Sequence, residues 1–310
     1  MYTWIKGIAM VLVAVASLSF LWQNTGQTFF NRAESKSPYD YSEDGKTKKK
    51  NSHVVTATDV RIESSWQLPE VLREVSGIAY LSANKIACVQ DELGNIYIYN
   101  LASHSIEQVI PFADAGDYEG ITLVENTAYV VRSDGRLFKV DNLLSAQPKV
   151  TQFESFLTAE QDVEGLCYDA ANHRLLLSIK GVDPHSQAYK GVYAFDLASN
   201  ELQTQPVYKL LLHDPVLAAA YSPKSKKSAL QPSDIDIHPL TGDIYITEAV
   251  HHQLLLLNAD GELKMVYSLA KPDFAKPEGI TFSPTGEIFI SNEGKKGAGN
   301  IRKINLPQQQ

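Results

Sequence analysis

One tripeptide pattern, glutamate-glycine-aliphatic, recurs at Glu119-Gly120-Ile121, Glu164-Gly165-Leu166 and Glu278-Gly279-Ile280, each time at the head of a hydrophobic run. Two looser copies, Ser76-Gly77-Ile78 and Ser233-Asp234-Ile235, extend the series. The five copies follow one another at intervals of 43, 45, 69 and 45 residues. An interval in the mid-forties is the length of a four-stranded propeller blade.

The stretches inside each interval agree. The first copy is followed by KIACVQ, NIYIYNL and IEQVIPF, short runs rich in β-branched and aromatic residues with almost no helical periodicity. Turn dipeptides punctuate the runs: Leu93-Gly94, Asp134-Gly135, Thr241-Gly242, Asp260-Gly261 and Thr285-Gly286. The fifth unit ends one strand short, and a strand-like stretch at residues 58–68 (TDVRIESSWQL) precedes the first unit. Joining the two closes the ring and removes the exposed sheet edges. The chain is therefore expected to be all-β, a five-bladed β-propeller over residues 56–307 closed by an N-terminal strand. Six blades is the alternative, but the long interval carries a surplus of only about 25 residues. That surplus lies mainly at residues 211–230, where Asp214 and Pro215 predict a short helix through Ala220. This segment reads either as a lid over a site or as a tolerated loop insertion. A smaller insertion covers residues 181–190.

In a propeller the first strand of each blade lines the central channel. Glu119, Glu164 and Glu278 are thus expected to converge at the channel mouth, with Asp234 joining them from the fourth unit. Crowded carboxylates repel one another as water is excluded, so a hard cation is the natural compensation. Calcium accepts irregular oxygen geometry more readily than magnesium. The simpler reading is that each acid marks a strand entrance and points into solvent. The same face collects Gln90, Asp91, Arg132, Lys180, Glu248, Asn292 and Glu293 as candidate ligand-binding residues. Arg132 and Lys180 suit an anionic ligand group, or else neutralise the carboxylates. His251 and His252 lie in a loop there; a histidine pair of this kind is either a general base or exposed turn histidine. No GxSxG elbow, HExxH or CxxC spacing is present, and no catalytic residue is assigned.

The formal charge is −8, with residues 1–53 at +3 and the remainder at −11. An acidic body excludes non-specific nucleic-acid binding and favours cationic ligands. Cys88 and Cys167 sit in apolar runs and read as buried, unpaired thiols. Residues 7–22 are uncharged and largely apolar, with Lys6 before them and no clean cleavage site after them. Residues 1–30 therefore read as a membrane anchor or signal-like segment, and residues 31–55 as a flexible polar linker. The expected location is the cell membrane, single-pass, with the propeller facing the periplasm or cell exterior.

The ordered string VSGIAY, DYEGI, DVEGL, QPSDIDIHPLTGDIYI and KPEGITFSPTGEIFISNEG resembles the SdiA-regulated (YjiK-like) family of bacterial proteins over residues 56–307. The resemblance implies a propeller whose central site binds a metal ion. More distantly, the Glu-Gly strand openings are similar to those of gluconolactonase-like and paraoxonase-like calcium propellers. Those are six-bladed hydrolases, and Ser76 in the first unit departs from their pattern. The function expected is a membrane-tethered propeller that binds a divalent cation and a small-molecule or protein ligand at the channel mouth. The alternatives are a calcium-dependent hydrolase of an ester, lactone or phosphoester, and a protein-interaction platform.

Overall fold

The computed structural model describes residues 56–57, 60–220 and 230–307, and within them 22 strands form five sheets. Each sheet is one blade. Blade 1 runs Val75–Ser82, Lys85–Gln90, Asn95–Asn100 and Ser105–Pro111. Blade 2 runs Tyr118–Val124, Thr127–Arg132, Leu137–Asp141 and Lys149–Phe153. Blade 4 runs Pro232–Ile237, Ile244–Glu248, Gln253–Leu257 and Leu263–Ser268. The first strands pack side by side in sequence order, and the fifth returns to the first. The expected ring of five is what forms, with no sixth blade among the described residues of the long interval.

Closure follows the expectation from the stranded fifth unit. Blade 5 takes Pro277–Phe282, Ile288–Asn292 and Asn300–Asn305 from the C-terminal end, and its outer strand is Arg61–Gln67, antiparallel to Asn300–Asn305. Along this strand alternate residues turn inward. Trp66 packs near Phe289 at 6.2 Å between ring centroids and donates its indole N–H to Leu101 O at 2.9 Å. A contact not foreseen lies just upstream, where Thr56–Ala57 pairs in parallel with the outer strand of blade 4.

Blade 3 has Val163–Asp169, Arg174–Ile179 and Tyr189–Asp196, but its outer position is shared by two short pieces, Glu201–Leu202 and Tyr208–Leu211. Pro206 lies between them and has no N–H to offer the ladder. Beyond it the short helix Pro215–Ala220 forms as the sequence predicts, with Asp214 accepting the N–H of Val216 at 2.7 Å. Val216 and Leu217 are buried in the apolar layer between blades 3 and 4, so this part of the insertion is used as core and not as a lid.

The hydrophobic core is divided. One apolar cluster fills each of the five gaps between neighbouring blades. In blade 1, Ile86 and Cys88 face the gap toward blade 5, while Ala87 and Val89 face the gap toward blade 2. A middle strand buried on both faces needs an unbroken apolar run, which is why KIACVQ shows no alternation. Both cysteines are free and buried, as expected. The anchor and linker expected over residues 1–55 lie outside the described residues. Among the described residues no helix is long and apolar enough to cross a membrane.

Candidate site at the channel mouth

In every blade the register between the first and second strands slips at the same place. Tyr118 pairs with Arg132 and Gly120 with Val131; Val163 pairs with Ile179 and Gly165 with Ser178. Blades 1, 4 and 5 slip at Val75/Ile78, Pro232/Asp234 and Pro277/Ile280. The extra residue is the one before the glycine: Ser76, Glu119, Glu164, Ser233 and Glu278. A β-bulge leaves one residue unpaired and re-aims its side chain. This is how the repeated glutamate reaches the channel mouth.

The glycine has a different role from the one a strand start would suggest. A methyl built on Gly77 would lie 2.7 Å from Glu119 O, and one on Gly120 would lie 2.8 Å from Leu166 N. On Gly165 it would lie 2.8 Å from Ile235 N, and on Gly279 2.6 Å from Ser76 O. Each motif glycine thus abuts the backbone of the adjacent blade's first strand. The ring at the axis is too narrow for a side chain there.

Blade 4 is the exception, because Asp234 stands at the glycine position. Its side chain enters the space between strands, where it is 1% exposed. Its carboxylate accepts N–H bonds from Leu166 at 3.2 Å, Ile235 at 2.8 Å and Ile280 at 2.8 Å. Asp234 thereby ties blades 3, 4 and 5 together below the mouth. Burial pushes its carboxyl well up, and the three backbone donors oppose that.

Structural equivalence defines three positions around the mouth: the residue two before the bulge glycine's predecessor, the bulge residue itself, and the residue that follows the partner of the strand's first pair. In blade 1 these are Glu74, Ser76 and Asp91; in blade 2, Asp117, Glu119 and Ser133. In blade 3 they are Asp162, Glu164 and Lys180; in blade 4, Gln231, Ser233 and Ala249; in blade 5, Lys276, Glu278 and Glu293. The positions hold eight carboxylates and two ammoniums.

The ammoniums are placed on two of the three motif glutamates. Lys180 Nζ lies 2.5 Å from Glu164 Oε1 and 3.5 Å from Asp162 Oδ2. Lys276 Nζ lies 2.9 Å from Glu278 Oε1 and also pairs with Glu293. Glu119 is half-buried and shares a side-chain hydrogen bond with Asp117. Burial, then the charges of Glu164, Asp117 and Glu278, hold its carboxyl well above the usual range. Burial pushes Glu164 up to about 8, with Lys180 opposing and Glu278 adding to the rise. Glu278 is raised by burial against the pull of Lys276. Asp91 is raised to about 6 by burial and by Glu74, Glu293 and Asp117. Glu164 and Glu278 both act on Glu119, and Glu278 acts on Glu164, so the three motif glutamates lie in one electrostatic cluster.

The remaining candidates are spread around the rim in other roles. Gln90 is buried, and its Oε1 accepts the N–H groups of Glu92 and Leu93, shaping the loop. Arg132 forms a two-point pair with Asp134, at 3.0 Å from Nε, and so serves its own turn. Glu248 is fully buried and accepts from His251 N at 2.6 Å and Gln231 N at 3.3 Å, with His251 Nδ1 at 3.0 Å. His252 is buried as well, its Nδ1 2.7 Å from Phe274 O, so the pair is not exposed turn histidine. Asn292 donates to Asn300 Oδ1 at 3.2 Å, and its own Oδ1 is buried without a partner. Lys276 was not among the expected site residues. Its signal was a lysine two residues before the bulge, where blades 2 and 3 carry aspartate.

As to a metal ion, the donor set is all carboxylate oxygen, the chemistry that calcium and magnesium take. Among the described residues no three His, Cys, Asp or Glu side chains already surround a common point. The carboxylates of Glu164 and Glu278 are engaged by Lys180 and Lys276. The carboxylates fit a hard cation in kind, and in this arrangement Lys180 and Lys276 stand against two of the three motif glutamates.

Fold and site together define a five-bladed β-propeller with an acidic channel mouth. The SdiA-regulated family profile matches residues 50–296, and the chain belongs to that family. No protein among the curated sequences matches it. Among solved structures, glutaminyl cyclase from Myxococcus xanthus superposes with a TM-score of 0.56 at 15% identity, over 81% of this chain and 97% of that one. The PQQ-bound aldose sugar dehydrogenase of Streptomyces coelicolor gives 0.49 at 11% identity, over 80% and 98%. At 15% identity the likeness to the cyclase is one of fold alone.

Proposed function

We propose that this protein is a membrane-tethered, extracytoplasmic cation-binding propeller. It holds a divalent ion, calcium in preference to magnesium, between Glu119, Glu164 and Glu278, and it receives a ligand on the same face. The observation that supports the reading is that the bulge in blades 2, 3 and 5 sets a glutamate at the same place, and that the charges of Glu164 and Glu278 add to burial in raising the carboxyl of Glu119. Lys180 and Lys276 meet Glu164 and Glu278 only one at a time, whereas a divalent ion would compensate all three carboxylates together. Calcium tolerates the unequal spacing that glutamates from blades 2, 3 and 5 impose. The ion would supply positive charge and open coordination sites for an oxygen-bearing ligand. Residues 1–30 would anchor the chain in the membrane, and residues 31–55 would let the propeller stand off from it.

Calcium titration of the purified protein tests the reading. Binding to the folded form alone at about 100 times Kd adds about 2.7 kcal/mol. For a domain of this size that raises Tm by about 5–10 °C. Glu119→Gln, Glu164→Gln and Glu278→Gln should each weaken the shift. A protein purified without chelator that holds no metal, and whose melting is indifferent to millimolar calcium and magnesium, rules the reading out.

A further inference from the structure

We propose that Lys180 and Lys276 are built-in counter-cations that occupy the mouth when it holds no metal, so that cation binding is an exchange in which both ammoniums withdraw. The inference rests on the cation reading above and goes beyond it by assigning these two lysines the control of affinity.

Three features of the site carry it. First, the two lysines reach their glutamates from different places in the repeat. Lys180 follows the second strand of blade 3, whereas Lys276 precedes the first strand of blade 5. Each blade thus sets an ammonium on its motif glutamate by its own route, and what the two share is the charge and not a common scaffold position. Second, the glutamates lie inside and the lysines outside. The Glu164 and Glu278 side chains are 3% and 8% exposed, the Lys180 and Lys276 side chains 34% and 36%. A lysine on the solvent side of its partner can swing away on its flexible stem without moving any strand. Third, each lysine has a second acid to retreat to. Asp162 is 3.5 Å from Lys180, and Glu293 already pairs with Lys276. The withdrawn ammonium stays compensated, which lowers the cost of exchange.

Glu119 completes the arrangement. Its blade carries Ser133 where blade 3 carries Lys180, and Asp117 where blade 5 carries Lys276. No lysine from these positions covers it, so it is the carboxylate that first meets an incoming ion. Glu164 and Glu278 join as their lysines leave.

The test is calcium affinity of the full chain by isothermal titration, for the parent and for Lys180→Met and Lys276→Met, which keep the aliphatic stem. Each variant should bind calcium about tenfold more tightly, because no ammonium competes for the carboxylate. In parallel, 13C-methylation of the lysines of the parent protein, which needs no substitution, should show two dimethyl-lysine resonances that move on saturation with calcium. Parent binding with folded variants of equal or weaker affinity overturns the exchange and leaves the cation reading standing. Unmoved lysine resonances at saturating calcium also overturn it. Parent and variants that all fail to bind remove the cation reading and the exchange with it. A silent parent beside a variant that binds supports the exchange strongly.

Discussion

Replacing Gly77 by alanine isolates the packing role of the motif glycine, because blade 1 has serine and not glutamate before it. The added methyl would meet Glu119 O at 2.7 Å, Ile121 N at 2.8 Å and Gly120 Cα at 2.9 Å. Ordinary non-bonded contacts lie at about 3.5–4.0 Å, so something must move by most of an ångström. All three neighbours are backbone of blade 2's first strand, and no flexible side chain can yield. Overpacking costs about 1–3 kcal/mol, and a contact between two rigid strands belongs at the upper end. Alanine also restricts the unfolded chain and returns about 0.4–1 kcal/mol. The net loss is about 2 kcal/mol, a fall in Tm of about 4–8 °C for a domain of this size. Gly297→Ala is the control, since nothing lies within 4 Å of the added methyl there. It should stay within about 0.5 kcal/mol of the parent. Circular dichroism melts and urea titrations of both variants read the difference. Equal melting of Gly77→Ala and Gly297→Ala would refute the tight ring at the axis.

Two further outcomes follow from the fold and the site. Removal of residues 1–67 takes away the closing strand and the packing of Trp66, worth about 3 kcal/mol alone, so Tm should fall by about 6–12 °C and aggregation should rise; removal of residues 1–55 should do neither, and like melting of the two truncations in a thermal scan contradicts the closure. In metal-free buffer, stability should decline as pH rises from about 4 to about 8, because Glu164 and Asp91 titrate near 8 and 6 in the folded chain against 4.5 and 3.8 when free, so the folded state holds protons that the unfolded state has lost. Melting curves across that range should show the decline, with Glu164→Gln reducing the slope; a stability that climbs with pH contradicts the raised carboxyls.

Much of this was legible because a repeat aligns residues that are distant in the chain. The Glu-Gly spacing placed Glu119, Glu164 and Glu278 on one face before any strand was paired, and the unit left without an outer strand pointed to residues 58–68. The reason for the glycine was not legible. It depends on how near one first strand comes to the next, and no single unit records that distance. Asp234 was misjudged for a related cause: its place one residue later in the repeat looked like a small offset, whereas a β-bulge lies there and turns neighbours in different directions. Arg132 and Lys180 illustrate the limit of charge alone. Arg132 ends its second strand and is drawn away by Asp134 in the following turn, while Lys180 stands one place further on in the repeat and meets Glu164. The Thr56–Ala57 pairing had no signal, since two residues carry no period.

The closing strand sets a schedule for synthesis. Arg61 pairs with Asn305, so one of the first segments of the propeller to be made waits for one of the last. At about 5–20 residues per second, the roughly 240 residues between them take about 12–50 s to produce. Throughout that time blade 1 has no blade 5 to cover its outer gap face, and Trp66 and Leu72 have no finished surface against which to bury. The nascent chain therefore passes through a long open state in which apolar strands are exposed. A chain released before Asn300–Asn305 is made has a closing strand with nothing to pair against, so its ring cannot shut.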